Sequence, residues 1–221
     1  MSQDLTNGAA ERADVVPEES AIRPVINVVL AGVGGQGSVL ATRILARAAA
    51  LAGHEVVTSE VHGMSQRGGT VVTTVRYGDE VLAPAIPEGQ ADFLVAFERL
   101  EAARHLALVR PGGAALVNDQ RIAPSIEALK HAAYPDDLQA RADTAGVVIH
   151  LCPALRMARE LGNDKLSSTV LLGALANQLL IDGEHWRQAV RESVPPRTVE
   201  ANEAAFASGS EWAVERPTFS S

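Results

Sequence analysis

Short apolar runs alternate with stretches of helical periodicity along the first two thirds of the chain. The helical spacing is clearest at Leu40, Ile44 and Leu51, where apolar side chains recur on one face until Gly53 ends the pattern. Short runs rich in β-branched residues predict strands instead. The predicted strands cover residues 25–31, 55–59, 70–77, 80–82, 91–97, 114–117 and 147–151, and the predicted helices between them cover residues 38–52 and 98–109.

The last third of the chain is predicted to be helical. Its four predicted helices cover residues 154–161, 167–180, 184–193 and 198–206. Strands that alternate with helices predict a three-layer α/β/α fold with a Rossmann-like, mostly parallel sheet. Gly78-Asp79 predicts one antiparallel hairpin, between residues 70–77 and residues 80–82. We expect a single domain over residues 24–208, a flexible N-terminal tail over residues 1–23 and a C-terminal tail over residues 209–221.

Charge and cysteine content argue against several classes of function. The formal net charge of −8 argues against general binding to nucleic acid, which needs a basic surface. The single cysteine, Cys152, cannot form a disulfide within the chain or supply the ligands of an iron–sulfur cluster, and the scattered histidines predict no metal site. No apolar run is long enough to span a membrane, and residues 1–23 lack the apolar core of a secretory signal. We therefore expect a cytoplasmic protein.

A glycine-rich turn separates the first predicted strand from the first predicted helix. It consists of Gly32, Val33, Gly34, Gly35, Gln36 and Gly37. Glycines at this spacing let backbone N–H groups at a helix N-terminus face an anion, which is the arrangement of dinucleotide sites. Glu60 ends the second strand, about where such a fold has a ribose-binding carboxylate. The alternative is a tight strand-to-helix turn that binds no ligand.

A second glycine-rich segment follows the second predicted strand. It consists of His62, Gly63, Met64, Ser65, Gln66, Arg67, Gly68 and Gly69. Because ligands in open α/β sheets bind beyond the carboxyl ends of strands, this loop and the glycine turn are expected to share one edge of the sheet. His62, Gln66 and Arg67 offer donors to a phosphate or carboxylate. The alternative is a polar loop with no ligand.

Glu98 ends the strand predicted over residues 91–97 and belongs at the same edge. Its carboxylate would neutralise Arg67 or hold a cofactor nitrogen, or it is an acid that suits the first turn of the following helix. We therefore predict that the turn, the loop and Glu98 bind a cofactor. The sequence contains no G-x-S-x-G nucleophile motif and no pattern of a Ser–His–Asp triad, so we assign no catalytic residue. A polar edge without a catalyst suggests a subunit that completes the active site of another chain.

These motifs together resemble the gamma-type domain of the 2-oxoacid:ferredoxin oxidoreductases, with the greatest likeness to the branch that acts on indolepyruvate. The resemblance covers most of the chain and rests on residues 32–37, 59–69, 91–98, 160–163, 171–173 and 200–206. It departs from the family pattern at Ser168, where an asparagine is usual. The combination of the glycine turn with the His-Gly-Met-Ser-Gln-Arg-Gly-Gly loop is far more specific than either segment alone.

The resemblance implies a subunit of a complex that converts a 2-oxoacid, such as indolepyruvate or another aryl-pyruvate, to an acyl-coenzyme A. Thiamine diphosphate and iron–sulfur clusters are then expected in a large partner subunit, which passes electrons to ferredoxin or another acceptor. Coenzyme A is expected at the shared active site, and this chain alone is expected to be inactive and to bind no cofactor. Two alternatives remain open: a stand-alone Rossmann-type dinucleotide-binding oxidoreductase and a purely structural assembly subunit.

Overall fold

The structure is a computed structural model, and it describes residues 24–63, 69–122, 134 and 136–215. The N-terminal tail over residues 1–23, the loop residues Met64 to Gly68 and residues 216–221 lie outside the described residues. The strands of the described part are β1 (Ile26–Val33), β2 (Glu55–His62), β3 (Thr70–Gly78), β4 (Ala91–Ala96), β5 (Val109–Asn118) and β6 (Val148–Cys152).

These strands form one six-stranded sheet in the order β2-β3-β1-β4-β5-β6. β1, β4, β5 and β6 run parallel to one another, whereas β3 is antiparallel to both of its neighbours, β1 and β2. The centre of β1 consists of consecutive buried apolar residues. Such a continuous apolar run is typical of a strand that is covered on both faces of the sheet. The prediction of a mostly parallel α/β sheet with an antiparallel pair is confirmed.

Helices cover both faces of the sheet. The described helices are α1 (Ser38–Leu51), α2 (Arg99–His105), α3 (Leu138–Ala145), α4 (Ala154–Glu160), α5 (Ser167–Ala176), α6 (Gly183–Ser193) and α7 (Val199–Val214). Helices α1, α4, α5, α6 and α7 share the larger apolar core, around the buried Trp186, on one face. Helices α2 and α3 pack on the other face. Across the described part of the chain, no helix has both the length and the apolar character that a membrane crossing requires.

The predicted hairpin strand over residues 80–82 is wrong. β3 ends at Gly78 and pairs on both sides, with β2 and with β1. The chain beyond it crosses a face of the sheet, where Arg76 Nη1 donates to the carbonyls of Ala83 and Ala85. Pro84 interrupts the segment, and proline has no N–H to give to a strand ladder. The antiparallel hairpin of the fold is β2–β3 instead.

Three predicted helix ends differ from the structure by four residues or more. The helix predicted over residues 167–180 ends at Ala176. The helix predicted over residues 98–109 ends at His105, a single 3-10 turn follows, and Val109 already belongs to β5. The helix predicted over residues 198–206 continues to Val214, so Gly209, where we began the C-terminal tail, is a buried residue within α7. The sequence analysis missed α3, because only Leu138 and Ala142 of that helix are buried and its apolar stripe is therefore weak.

Candidate functional site

β1 and β4 are neighbours in the sheet, and the chain that follows each of them leads to a helix on a different face of the sheet. After β1 the chain enters α1 on the face of the larger core, and after β4 it enters α2 on the other face. A crevice forms outside the carboxyl ends of strands at such a switch point, and open α/β proteins bind ligands there. The glycine turn and Glu98 both lie at this crevice.

The glycine turn exposes backbone amides at the N-terminus of α1. Gly32 lies inside β1, so the turn itself consists of residues 34–37, with Gly34 and Gly35 exposed. Gly37 is the N-cap of α1 with a φ of 85°, and no side chain caps the helix. A side chain on Gly37 is also sterically excluded, because a Cβ there would lie 2.7 Å from Ser168 Oγ. The positive end of α1 is therefore open to an anion.

The Gln36 side chain does not face outward. Its Oε1 accepts a hydrogen bond from the Val33 N–H at 2.6 Å, and its Nε2 donates to the Phe97 carbonyl at 3.1 Å. The carboxamide thus joins the end of β1 to the residue that follows β4 and fills the crevice between them. In a dinucleotide fold this space lies under the pyrophosphate. Gln36 therefore supports the turn from inside.

The polar loop begins and ends beside the glycine turn. The Gly34 N–H donates to the Gly69 carbonyl at 3.0 Å, and the Gly63 N–H donates to the Thr70 carbonyl at 2.8 Å. His62 is the last residue of β2, so the loop between the strands is shorter than the sequence motif. The expected meeting of turn and loop is thus observed at Gly69, while Met64, Ser65, Gln66, Arg67 and Gly68 lie outside the described residues.

Glu98 is a buried helix cap. Its side chain is 1% exposed, Oε1 accepts from the Glu101 N–H at 2.6 Å, and Oε2 accepts from the Tyr134 hydroxyl at 2.7 Å. Burial and this hydrogen bond to Glu98 raise the pKa of Tyr134 well above the usual range for a phenol, so the hydroxyl remains a donor. The structure therefore brings Glu98 to the crevice, but directs both of its oxygens to partners within the chain.

Asn118 ends β5 and ties three neighbouring elements together. Its Nδ2 donates to the Phe97 carbonyl at 3.2 Å, and its Oδ1 accepts from the Leu155 N–H at the start of α4 at 3.2 Å. The Phe97 carbonyl therefore accepts from two carboxamides, those of Gln36 and Asn118. These contacts give the crevice a fixed floor of buried hydrogen bonds.

A surface cleft of about 210 Å³ adjoins the exposed glycines of the turn. The sequence analysis missed the polar side chains on its far wall, because they come from the ends of three different elements. They are Gln120, Arg159, Asp164, Lys165 and Ser167. Arg159 is paired with Asp164 at 3.2 Å. The described residues do not bring three or more His, Cys, Asp or Glu side chains together as a metal site would.

Glu60 does not occupy the position of a ribose-binding carboxylate. It lies on the edge strand β2, and β3 separates β2 from β1. Two strand spacings, about 10 Å, therefore divide Glu60 from the strand that leads into the glycine turn. A dinucleotide fold has these two strands side by side. The geometry argues against the dinucleotide interpretation of the turn.

Comparisons with known proteins place the chain in a family. Residues 27–212 match the family described as pyruvate ferredoxin/flavodoxin oxidoreductase. The indolepyruvate oxidoreductase subunit IorB of Thermococcus kodakarensis is 37% identical over 195 residues, which are 86% of this chain and 96% of that protein. The 2-oxoglutarate synthase subunit KorC of Methanothermobacter thermautotrophicus is 30% identical over 190 residues, which are 84% of this chain and 94% of that protein.

A solved structure shares the fold. The gamma subunit of a keto/oxoacid ferredoxin oxidoreductase from Geobacter sulfurreducens matches with a TM-score of 0.66 and 27% identity, over 86% of this chain and 99% of that chain. The family match covers the sheet, the glycine turn and all helices described here except the last residues of α7. The chain therefore belongs to the pyruvate ferredoxin/flavodoxin oxidoreductase family.

Proposed function

We propose that this chain is the small subunit of a thiamine diphosphate-dependent 2-oxoacid:ferredoxin oxidoreductase, with indolepyruvate or a related aryl-pyruvate as the substrate. Two relatives support the choice of substrate: identity to the indolepyruvate oxidoreductase subunit is 37%, against 30% for the 2-oxoglutarate synthase subunit. A large partner subunit carries thiamine diphosphate and the iron–sulfur clusters, because this chain has a single cysteine.

The observation that carries this proposal is the hydrogen bond from Gly34 to Gly69. It brings the glycine turn, and with it the backbone amides at the N-terminus of α1, next to the loop at the switch point of the sheet. Such amides suit an anionic group on a ligand, and the phosphates of coenzyme A or thiamine diphosphate are such groups. We assign the contacts to Gly35, Gly37 and the loop, because the Gly34 N–H is bonded to the Gly69 carbonyl. Gln36 and Glu98 support the turn from inside the chain.

The overall reaction converts one 2-oxoacid and one coenzyme A to one acyl-coenzyme A and one carbon dioxide. Two electrons leave the substrate and pass to ferredoxin or another acceptor, and one proton is released. Thiamine diphosphate on the partner supplies the chemistry that cleaves the carbon–carbon bond. The described residues of this chain contribute to ligand binding. The turn offers N–H donors, and the hydrogen bonds of Gln36 and Asn118 hold the turn in place.

Co-expression with the large partner tests the proposal. We expect each subunit alone to be inactive, and the purified complex to reduce ferredoxin when given indolepyruvate and coenzyme A. The isolated chain is expected to show no iron–sulfur absorbance. Pyruvate and 2-oxoglutarate serve as competing substrates, with lower kcat/KM expected for both. Full activity of the isolated chain, or equal activity of the partner without it, would contradict the proposal.

A further inference from the structure

A buried carboxylate lies under the base of the polar loop. Glu101 is in the first turn of α2 and its side chain is fully buried, at 0% exposure. Burying a charge is unfavourable unless hydrogen bonds and a counter-ion compensate for it. Burial raises the pKa of Glu101, but bonds from His105, Arg104 and Thr70 outweigh this effect, so the pKa lies below its usual range and the group is charged.

This carboxylate forms a ring with two other side chains, those of Thr70 and Arg104. Thr70 Oγ1 donates to Glu101 Oε1 at 3.1 Å, and Arg104 Nη1 contacts Glu101 Oε1 at 2.5 Å and Thr70 Oγ1 at 3.3 Å. Each member of this Thr70–Glu101–Arg104 ring therefore contacts the other two. Because the Thr70 hydroxyl donates to one partner and accepts from the other, its rotamer is defined.

The ring fixes the residue at which the loop ends. Thr70 is the first residue of β3, directly after Gly69, and its carbonyl accepts the Gly63 N–H from the other end of the loop. Gly69 in turn accepts the Gly34 N–H of the glycine turn. A continuous set of contacts thus leads from Glu101 through Thr70 to both glycine-rich segments. Glu101 itself is buried, and the contacts found for its side chain lie within the chain.

We propose that Glu101 is a positioning residue, which holds Gly63 and Gly69 through Thr70 and thereby sets the affinity of the glycine turn for its anionic ligand. This inference rests on the proposed function for the identity of that ligand, coenzyme A. Its structural half, the fixing of the loop base, does not depend on that function. An apolar residue at position 101 would fill the space but could not form the contacts that this carboxylate makes with Thr70, Arg104 and His105.

Thr70→Val tests the inference while the Glu101–Arg104 ion pair stays in place, since valine keeps the β-branched shape and removes only the hydroxyl. Thr74→Val is the matched control. Thr74 lies on the same strand as Thr70, but its hydroxyl donates to the Pro84 carbonyl, away from the loop. Thr70→Ser restores the hydroxyl. In the full-length chain we expect Thr70→Val to speed amide exchange at Gly63 and Gly34 by about three- to ten-fold, the effect of losing one hydrogen bond. Neither Thr74→Val nor Thr70→Ser is expected to do so.

In the complex, the KM for coenzyme A is expected to rise about three- to ten-fold in Thr70→Val while kcat changes little, because the loop affects binding rather than the chemical step. Glu101→Gln is expected to act in the same direction. Unchanged exchange at Gly63 and Gly34 in Thr70→Val would overturn the positioning role, and so would an unchanged KM despite faster exchange. An inactive wild-type complex would instead contradict the proposed function, and the exchange rates would then decide the inference alone.

Discussion

At the scale of single residues, the crevice is held by carboxamide side chains that serve the backbone. Gln36 accepts from the Val33 N–H and donates to the Phe97 carbonyl, and only a side chain with both an acceptor and a donor can do this. The sequence analysis placed Gln36 in the turn that it predicted to bind a cofactor. The structure instead uses it to fix the ends of β1 and β4, next to the exposed residues Gly34 and Gly35.

Gln36→Met is predicted to lower the free energy of unfolding by about 1–3 kcal/mol, because methionine matches the length of the side chain but leaves the Val33 N–H without its partner. Gln139→Met is the control. Gln139 is exposed on α3 and bonds only a neighbouring Asp143 side chain in the described structure, so the change is expected to lie within about 0.5 kcal/mol. Urea unfolding of both variants measures the difference, and equal midpoints would show that Gln36 has no supporting role.

At the scale of elements, the sequence predicted best where local patterns are strong. The buried apolar run of β1 and the periodic apolar face of α1 predicted the ends of these two elements to within two residues. The expectation that turn and loop lie at the same edge of the sheet predicted their contact. The insertion of β3 between β2 and β1 was missed, since strand partners are set by contacts distant in sequence. Glu101 was missed as an anchor because a glutamate in a first helical turn is common on the surface.

The helix pair α5–α7 gives a prediction at this scale. The two helices approach so closely that a Cβ on Gly173 would lie 1.9 Å from the Phe206 carbonyl oxygen. Gly173→Ala is therefore expected to force the helices apart and to lower the free energy of unfolding by about 3 kcal/mol or more. Gly183→Ala is the matched control, since its nearest atom is Arg187 Nη1 at 4.0 Å, and we expect a gain of up to about 1 kcal/mol. Thermal unfolding distinguishes the two, and equal melting temperatures would contradict this account of the packing.

At the scale of the whole molecule, the position of one strand, β3, distinguishes this fold from that of a dinucleotide-binding protein. The spacing of the glycines is the same, yet β3 lies between the two strands that such a protein has side by side. The crevice is also filled, since Gln36 bonds across it to the Phe97 carbonyl. The same sheet keeps the turn and the polar loop together at one edge. The fold thus keeps the glycine turn at the N-terminus of α1 but lacks the strand arrangement that a dinucleotide site needs.

This difference predicts how the pure chain responds to nicotinamide cofactors. Titration with NADH or NADPH, followed by cofactor fluorescence, is expected to show no saturation up to about 1 mM, since Glu60 is two strand spacings, about 10 Å, from β1 and cannot hold the ribose. Glu60→Ala is expected to give the same flat titration. Saturable binding in the micromolar range that Glu60→Ala removes would restore the dinucleotide interpretation. A flat titration for the chain, with coenzyme A-dependent turnover by the complex, would exclude the dinucleotide interpretation and support the role in the complex.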